Sequence, residues 1–157
     1  MTTTVKTSIA PDNSPGNVPS RVRIRCGLSL VLLGLLVFLI GARPSLFGLD
    51  RSPVIGFVQI ATFLVGIGII CIGGYLSLMA LWKGQNPSIA ADIGLRLVAT
   101  GYVITVFAGM ADVFGFGTQR LPRIPFFGPW QARGVMLGEV IIAIGFLLMI
   151  PYARRKR

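Results

Sequence analysis

The chain has 157 residues, of which 54% are hydrophobic and 13% are Asp, Glu, Lys or Arg. Soluble domains carry about 25% charged residues, about twice the share in this chain. The mean hydropathy of +0.78 likewise indicates a chain that is unusually apolar. A soluble fold of this size buries only about two-thirds of the surface of its chain, too little to hide so many apolar side chains. The composition therefore excludes a soluble enzyme, a disordered chain and a disulfide-rich scaffold, and predicts one all-α integral membrane protein.

The net charge of +10 arises from 15 Lys and Arg residues against five acidic ones. Nearly all of the basic residues lie at the ends of apolar stretches. This distribution is typical of membrane-topology signals and of contact with anionic lipid headgroups. It differs from the clustered basic surface that binds nucleic acid, so we expect the bilayer, and no nucleic acid, as a partner.

Histidine is missing from the chain, and Cys26 and Cys71 are its only cysteines. Imidazole-ligated haem, histidine-based zinc sites and histidine-activated nucleophiles are thereby excluded. The phosphate-binding Gly-rich motif, the metalloprotease motif and the nucleophile elbow are missing as well. We therefore predict no catalytic residues, no metal and no cofactor, with both thiols free near a reducing cytosol.

Four apolar stretches predict four transmembrane helices. Residues 1–20, rich in Thr, Ser, Pro and Asn, are expected to form a disordered cytoplasmic tail. A membrane domain over residues 21–153 follows, and residues 154–157 form a basic cytoplasmic tail. The predicted spans cover residues 22–42, 54–82, 93–113 and 134–150.

Two dipeptides predict where the second and third helices begin. Ser52-Pro53 and Asn86-Pro87 each place a capping residue directly before a proline. Such a pair suits a helix start, because the cap satisfies a free N–H and proline needs none there.

The first span also has features of a secretory signal peptide, since three arginines precede an uncharged run over residues 27–41. Cleavage after Ala42 is disfavoured by the bulky Ile40 and by Arg43 immediately beyond the site. A retained helix is the favoured interpretation.

The distribution of Lys and Arg predicts the orientation in the membrane. With both termini in the cytoplasm, nine basic residues lie on the inner side and five on the outer side. The inner ones are Lys6, Arg21, Arg23, Arg25, Lys83, Arg154, Arg155, Lys156 and Arg157. The outer ones are Arg43, Arg51, Arg120, Arg123 and Arg133. The positive-inside rule then places both termini in the cytoplasm. The compact chain and the lack of glycosylation sequons in the outer loops make a bacterial inner membrane the expected location.

The first and third spans predict an internal repeat. Residues 27–48 and 94–115 share seven identities in 22 positions without a gap. Small residues recur every seven positions in these spans, and others recur in the second and fourth, which favours close helix packing along left-handed seams. The predicted packing residues are Gly27, Gly34, Gly41, Gly66, Gly73, Gly94, Gly101, Ala108, Gly138 and Gly145. We expect two tandem hairpins in the same orientation, related by a pseudo-twofold axis along the membrane normal.

Four polar residues within the predicted spans form a candidate intramembrane site: Gln59, Arg96, Asp112 and Glu139. Helical rise places Glu139 about 8 Å from the outer end of its span. Asp112 and Gln59 are expected at a similar depth, so that the two carboxylates and the amide would form an outward-opening pocket for a proton or cation.

A structural role for the same residues is the favoured alternative. Arg120, Arg123 or Arg133 in the outer loop would then pair with Asp112 or Glu139 and hold the loop against the bundle. Arg96 lies four residues after Asp92 on one helix face, so an ion pair there, with Arg96 reaching the inner interface, is also expected.

These features favour a structural or accessory subunit of a larger membrane complex, because short-looped helices with glycine seams carry no catalytic set. The expected protein partners are other membrane subunits or further copies of this chain. A small oligomeric transporter that moves protons or cations through the outer carboxylates is the alternative. A membrane-embedded enzyme is the least favoured class.

Overall fold

A computed structural model describes residues 20–48, 56–82, 86–116 and 127–151. Within these residues the fold is all-α, as predicted, and all four long helices are apolar enough to cross a membrane. The helices are α1 (Ser20–Ala42), α2 (Phe57–Leu81), α3 (Ile89–Gly109) and α4 (Pro129–Met149). A short 3₁₀ helix, Pro44–Phe47, follows α1. The predicted tails, apart from Ser20, lie outside the described residues.

The helix starts differ from the predicted ones. The N-cap of α3 is Ser88, whose Oγ accepts a hydrogen bond of 3.2 Å from the N–H of Ala91. The prediction of Asn86 as the cap is therefore wrong by two residues, because Ser88 offers an equally suitable side-chain oxygen one turn before Ala91. The N-cap of α2 is Gly56, while the predicted Ser52-Pro53 start lies outside the described residues.

The fourth helix begins at Pro129, five residues before the predicted span. The side chain of Gln131 reaches back, and its Oε1 accepts a 2.8 Å hydrogen bond from the N–H of Gly128. Proline at the first position needs no N–H partner there. These two features start α4 in a stretch where hydropathy alone marks no helix.

Helices α1 and α2 form a hairpin in which glycines let the two backbones touch. A Cβ atom added to Gly34 would lie 2.7 Å from the backbone nitrogen of Ile70 and 2.9 Å from the carbonyl oxygen of Gly66. Added Cβ atoms on Gly27 and Gly41 would likewise collide with α2. Only glycine therefore fits at these α1 positions at the observed helix separation.

Helices α3 and α4 form a second hairpin with the same kind of contact. A Cβ atom added to Gly101 would lie 2.7 Å from the carbonyl oxygen of Gly138 and 2.9 Å from the backbone nitrogen of Ile142. Further along the pair, Ala108 packs against Gly134. The small residues predicted at the helix contacts thus lie at them.

The contacts of the two hairpins correspond position by position. The contact of Gly34 with Gly66 has its counterpart in that of Gly101 with Gly138. The corresponding residues are 67 positions apart in the first helix of each hairpin and 72 positions apart in the second. The turns correspond too, because Gly48 and Gly115, again 67 apart, both have the positive φ that favours glycine, 66° and 80°.

The two hairpins meet through α2, which packs against both α3 and α4. At the end of the bundle opposite the hairpin turns, the indole Nε1 of Trp82 donates a 3.1 Å hydrogen bond to the carbonyl oxygen of Met149. The buried core joins four residues of α2 to residues of α3 and α4. These residues are Ile60, Phe63, Leu64, Ile67, Val98, Val135, Ile142 and Met149.

Helix α1 packs against α2 alone among the described helices. No Cα atom of α1 lies within 8 Å of a Cα atom of α3 or α4. The bundle is therefore open between α1 and α4. Gln59 and Glu139 line this opening.

Candidate functional site

Glu139 lies at the middle of α4. It follows Pro129 by ten residues, about 15 Å along a helix whose 21 residues span about 31 Å. The predicted depth of about 8 Å is wrong, because the Gly128–Gln131 cap starts the helix five residues earlier than hydropathy indicates. The carboxylate thus lies at the centre of a helix that is long and apolar enough to cross a membrane, and not near its start.

The opening between α1 and α4 forms a groove of about 190 Å³, here called the α1–α4 groove. Both Gln59 and Glu139 line it, so the structure brings these two predicted residues into one site. Gln59 lies two residues after the start of α2, about 12 Å nearer the hairpin turns than Glu139. The remaining lining residues are Phe38, Gly41, Ala42, Phe63, Phe127, Ala132, Val135 and Met136.

Within the described residues, the carboxylate of Glu139 takes part in no ion pair and no hydrogen bond. A carboxylate at membrane depth is costly unless it is paired, hydrogen-bonded or neutralised. The groove therefore contains an acid whose charge the described side chains leave uncompensated.

Three phenylalanines form a connected chain along the groove. The ring centroids of Phe38 and Phe63 are 6.4 Å apart at an interplanar angle of 88°. Phe63 and Phe127 are 6.1 Å apart at 84°. Sequence reasoning missed this cluster, because its members come from α1, α2 and the segment before α4 and share no spacing.

Asp112 lies in a different place from Glu139. Helix α3 ends at Gly109, so Asp112 belongs to the turn that follows and does not line the groove. The expectation that the two carboxylates share one depth is wrong, because α3 ends earlier and α4 begins earlier than predicted. The position equivalent to Asp112 in the first hairpin is Ser45, which is exposed.

Asp112 is 5% exposed, and neither carboxylate oxygen has a hydrogen-bond partner in the structure's described part. Nearby in the chain, the segment directly after α3 contributes Ala111 and Phe116 to a second cavity of about 180 Å³. Its lining includes Ala111, Phe116, Trp130 and Gln131. A buried acid without a partner is a second candidate for proton or cation chemistry.

The predicted ion pair of Arg96 with Asp92 forms, with 3.0 Å between Nη2 and Oδ2. Both side chains are well exposed, 78% for Arg96 and 57% for Asp92, so the pair contributes little to stability. Arg96 is thereby separated from the other three residues of the predicted site.

Of the three arginines predicted to hold the outer loop against the bundle, Arg133 is the one that the structure describes. Arg133 is exposed, and its guanidinium carbon lies 5.1 Å from the ring centroid of Trp130, a cation–π contact. It makes no ion pair with Asp112 or Glu139 among the described residues. Arg120 and Arg123 lie outside them, and their pairing stays a prediction.

The described residues contain no group of three or more His, Cys, Asp or Glu side chains that could hold a metal ion. Comparison with protein-family models, with curated proteins and with solved structures finds no match to this chain. What the protein does must therefore be inferred from its own residues and their packing.

Proposed function

We propose that the protein is a small membrane-embedded subunit that assembles with other membrane chains or with copies of itself. The observation that carries this proposal is the isolation of α1, which packs against α2 alone among the described helices. In the most apolar stretch of α1, 17% of the residues are buried, against 28% in the corresponding stretch of each of the other three long helices. This helix thus has the most surface available to another chain.

The tight hairpins support the same proposal. Backbone contacts at Gly34 and Gly101 fill the space between the helices of each pair. A hairpin packed in this way is a rigid element that presents a fixed surface and leaves no room for a path between its own helices. Assembly thus suits this architecture better than transport through a single copy.

Native mass spectrometry of the protein, extracted from its own host in mild detergent, tests the proposal. We expect stoichiometric recovery with other membrane chains or as a defined homo-oligomer. Replacement of Leu32, which is 60% exposed on α1, by Trp should disrupt that assembly. The matched control is Val103→Trp on α3, where the residue is 63% exposed and the assembly should persist. Recovery of a monomer alone would overturn the proposal.

A second candidate function is the translocation of protons or cations, and the unpartnered carboxylates of Asp112 and Glu139 favour it. In proteoliposomes loaded with a pH-sensitive dye, Asp112→Asn and Glu139→Gln should each abolish a potential-driven proton flux. Asp92→Asn, which alters an exposed acid at the other end of α3, is the control and should retain the flux. Absence of flux in the unaltered protein would exclude this candidate for protons.

We further infer that the two hairpins arose by duplication. The contact-derived offset of 72 aligns residues 56–81 with residues 128–153, and eight of these 26 positions are identical. Together with the identities of the first and third spans, this makes the repeat extend over both helices of each hairpin. It supports a parallel pseudo-twofold arrangement. The charge distribution separately favours both termini in the cytoplasm and the basic ends against anionic lipids of the cell membrane.

A further inference from the structure

The α1–α4 groove has the dimensions of a small-molecule site. Its volume of about 190 Å³ exceeds the roughly 150 Å³ of a protein cavity that holds one benzene ring. Its walls come from α1, α2 and α4, and it lies on the side where the bundle is open. A compact ligand with one ring, or with a few short alkyl groups, would match this space.

The acidic side chain in the groove indicates that such a ligand carries a positive charge. Glu139 is the one acidic residue among the described residues that line it, and its carboxylate has no ion-pair or hydrogen-bond partner in the described chain. The described basic side chain nearest in sequence, Arg133, is engaged with Trp130 and is absent from the groove lining. A bound cation would supply the counter-charge that none of the described side chains places there.

The aromatic chain favours an organic cation over a hydrated metal ion. In a T-shaped pair the edge of one ring meets the face of the other. The two contacts among Phe38, Phe63 and Phe127 therefore use two of the six ring faces, and four faces remain without such a contact. Phenylalanine faces attract ammonium groups, most strongly where water is excluded. Among the described lining residues Gln59 is the only other polar side chain, so these residues offer too few oxygen ligands for a metal ion.

We propose that the α1–α4 groove binds a compact monovalent organic cation, an ammonium group carrying one aromatic ring or short alkyl groups. The charged nitrogen lies against Glu139, and the apolar part lies along the three phenylalanines towards Gln59. This site belongs to the single chain and stands whether or not the chain assembles with others. It also supplies a ligand class for the second candidate function.

Benzyltrimethylammonium and its neutral isostere 2,2-dimethylpropylbenzene provide a direct test, because they share a shape and differ in charge. Both are titrated into the full-length protein in a non-ionic detergent, with binding followed by calorimetry and by the shift in melting temperature. We expect the cation to bind and to raise the melting temperature, and the neutral compound to bind at least about tenfold more weakly. Equal binding of the two compounds would overturn the proposal and indicate an apolar site for lipid chains.

Three variants localise the binding. Glu139→Gln keeps the shape of the side chain and should weaken the cation about tenfold or more without affecting the neutral compound. Phe38→Leu keeps an apolar side chain and should weaken the cation more than the neutral compound. Asp92→Asn removes an acid outside the groove and should change neither. Cation binding that persists in Glu139→Gln would overturn the proposal. Native mass spectrometry of the same samples measures the oligomeric state, so a failure of the assembly proposal can be told apart from a failure of cation binding.

Discussion

Asp112 and Glu139 are both acids without partners in the described chain, yet their surroundings differ. Glu139 faces an open groove where a ligand has access, whereas both oxygens of Asp112 are sealed inside the turn after α3. Burial of an unpaired charge costs several kcal/mol after relaxation, so such a group tends to be neutralised or to hold a counter-ion. At the residue scale, Asp112 is therefore a buried acid whose oxygens no described residue satisfies.

Replacement of Asp112 by Asn should raise the stability of the folded protein, by about 1–3 kcal/mol, because a neutral amide is less costly to bury than a carboxylate. Thermal unfolding of the purified protein, followed by circular dichroism, measures the change. Asp112→Ser, which reproduces Ser45 of the first hairpin, should act in the same direction. A marked fall in melting temperature in both variants would instead show that the carboxylate pairs with Arg120 or Arg123.

At the scale of the elements, each hairpin is held by glycines that face backbone atoms of the partner helix. Such contacts cannot adjust by side-chain rotation, so a single added methyl group must separate the two helices. Gly34 and Gly101 occupy corresponding positions, and added Cβ atoms meet the corresponding atoms of Ile70 and Ile142. The two hairpins should therefore respond alike to the same substitution.

Gly34→Ala and Gly101→Ala should each destabilise the protein by about 1–3 kcal/mol, the usual cost of overpacking. Gly109→Ala is the control, because its Cβ atom would meet a methyl group of Leu64 at 3.3 Å, which moves more easily than backbone. Melting temperatures in detergent compare the three variants. A harmless Gly101→Ala alongside a damaging Gly34→Ala would contradict the equivalence of the hairpins.

At the scale of the whole molecule, the two hairpins form an open bundle. Contacts run within each hairpin and through α2, and no Cα atom of α1 lies within 8 Å of one in α3 or α4. This arrangement exposes both the α1–α4 groove and the outer face of α1 on the same single chain. The orientation of that unit decides which side of the membrane the groove opens toward.

The charge distribution predicts that both termini, including the basic tail, face the cytoplasm. A fluorescent-protein fusion after Arg157 should fluoresce, and an alkaline-phosphatase fusion at the same site should be inactive. Changing Arg21, Arg23 and Arg25 together to Gln should lower that preference, because it reduces the inner basic residues from nine to six against five outside. Arg43→Gln, which removes an outer charge, should leave the orientation unchanged. An active phosphatase fusion on the unaltered chain would reverse the assignment.

The sequence by itself determined the features that depend on local spacing. Four apolar runs of 17 to 29 residues predicted the four long helices, since every backbone polar group in a bilayer must be satisfied within a helix. The heptad spacing of Gly27, Gly34 and Gly41 predicted a helix contact, and the spacing of Asp92 and Arg96 predicted an ion pair. Each of these signals lies within a single helix, where sequence separation determines geometry.

Only the tertiary structure decided which polar residues share a site. The cap that Gln131 makes with Gly128 moved Glu139 to the middle of α4, and the early end of α3 placed Asp112 outside the helix. The phenylalanines of the α1–α4 groove come together from segments far apart in the chain. Cap hydrogen bonds shift a helix start by several residues, and contacts between separate segments leave no periodic signal, so both become visible only once the chain is folded.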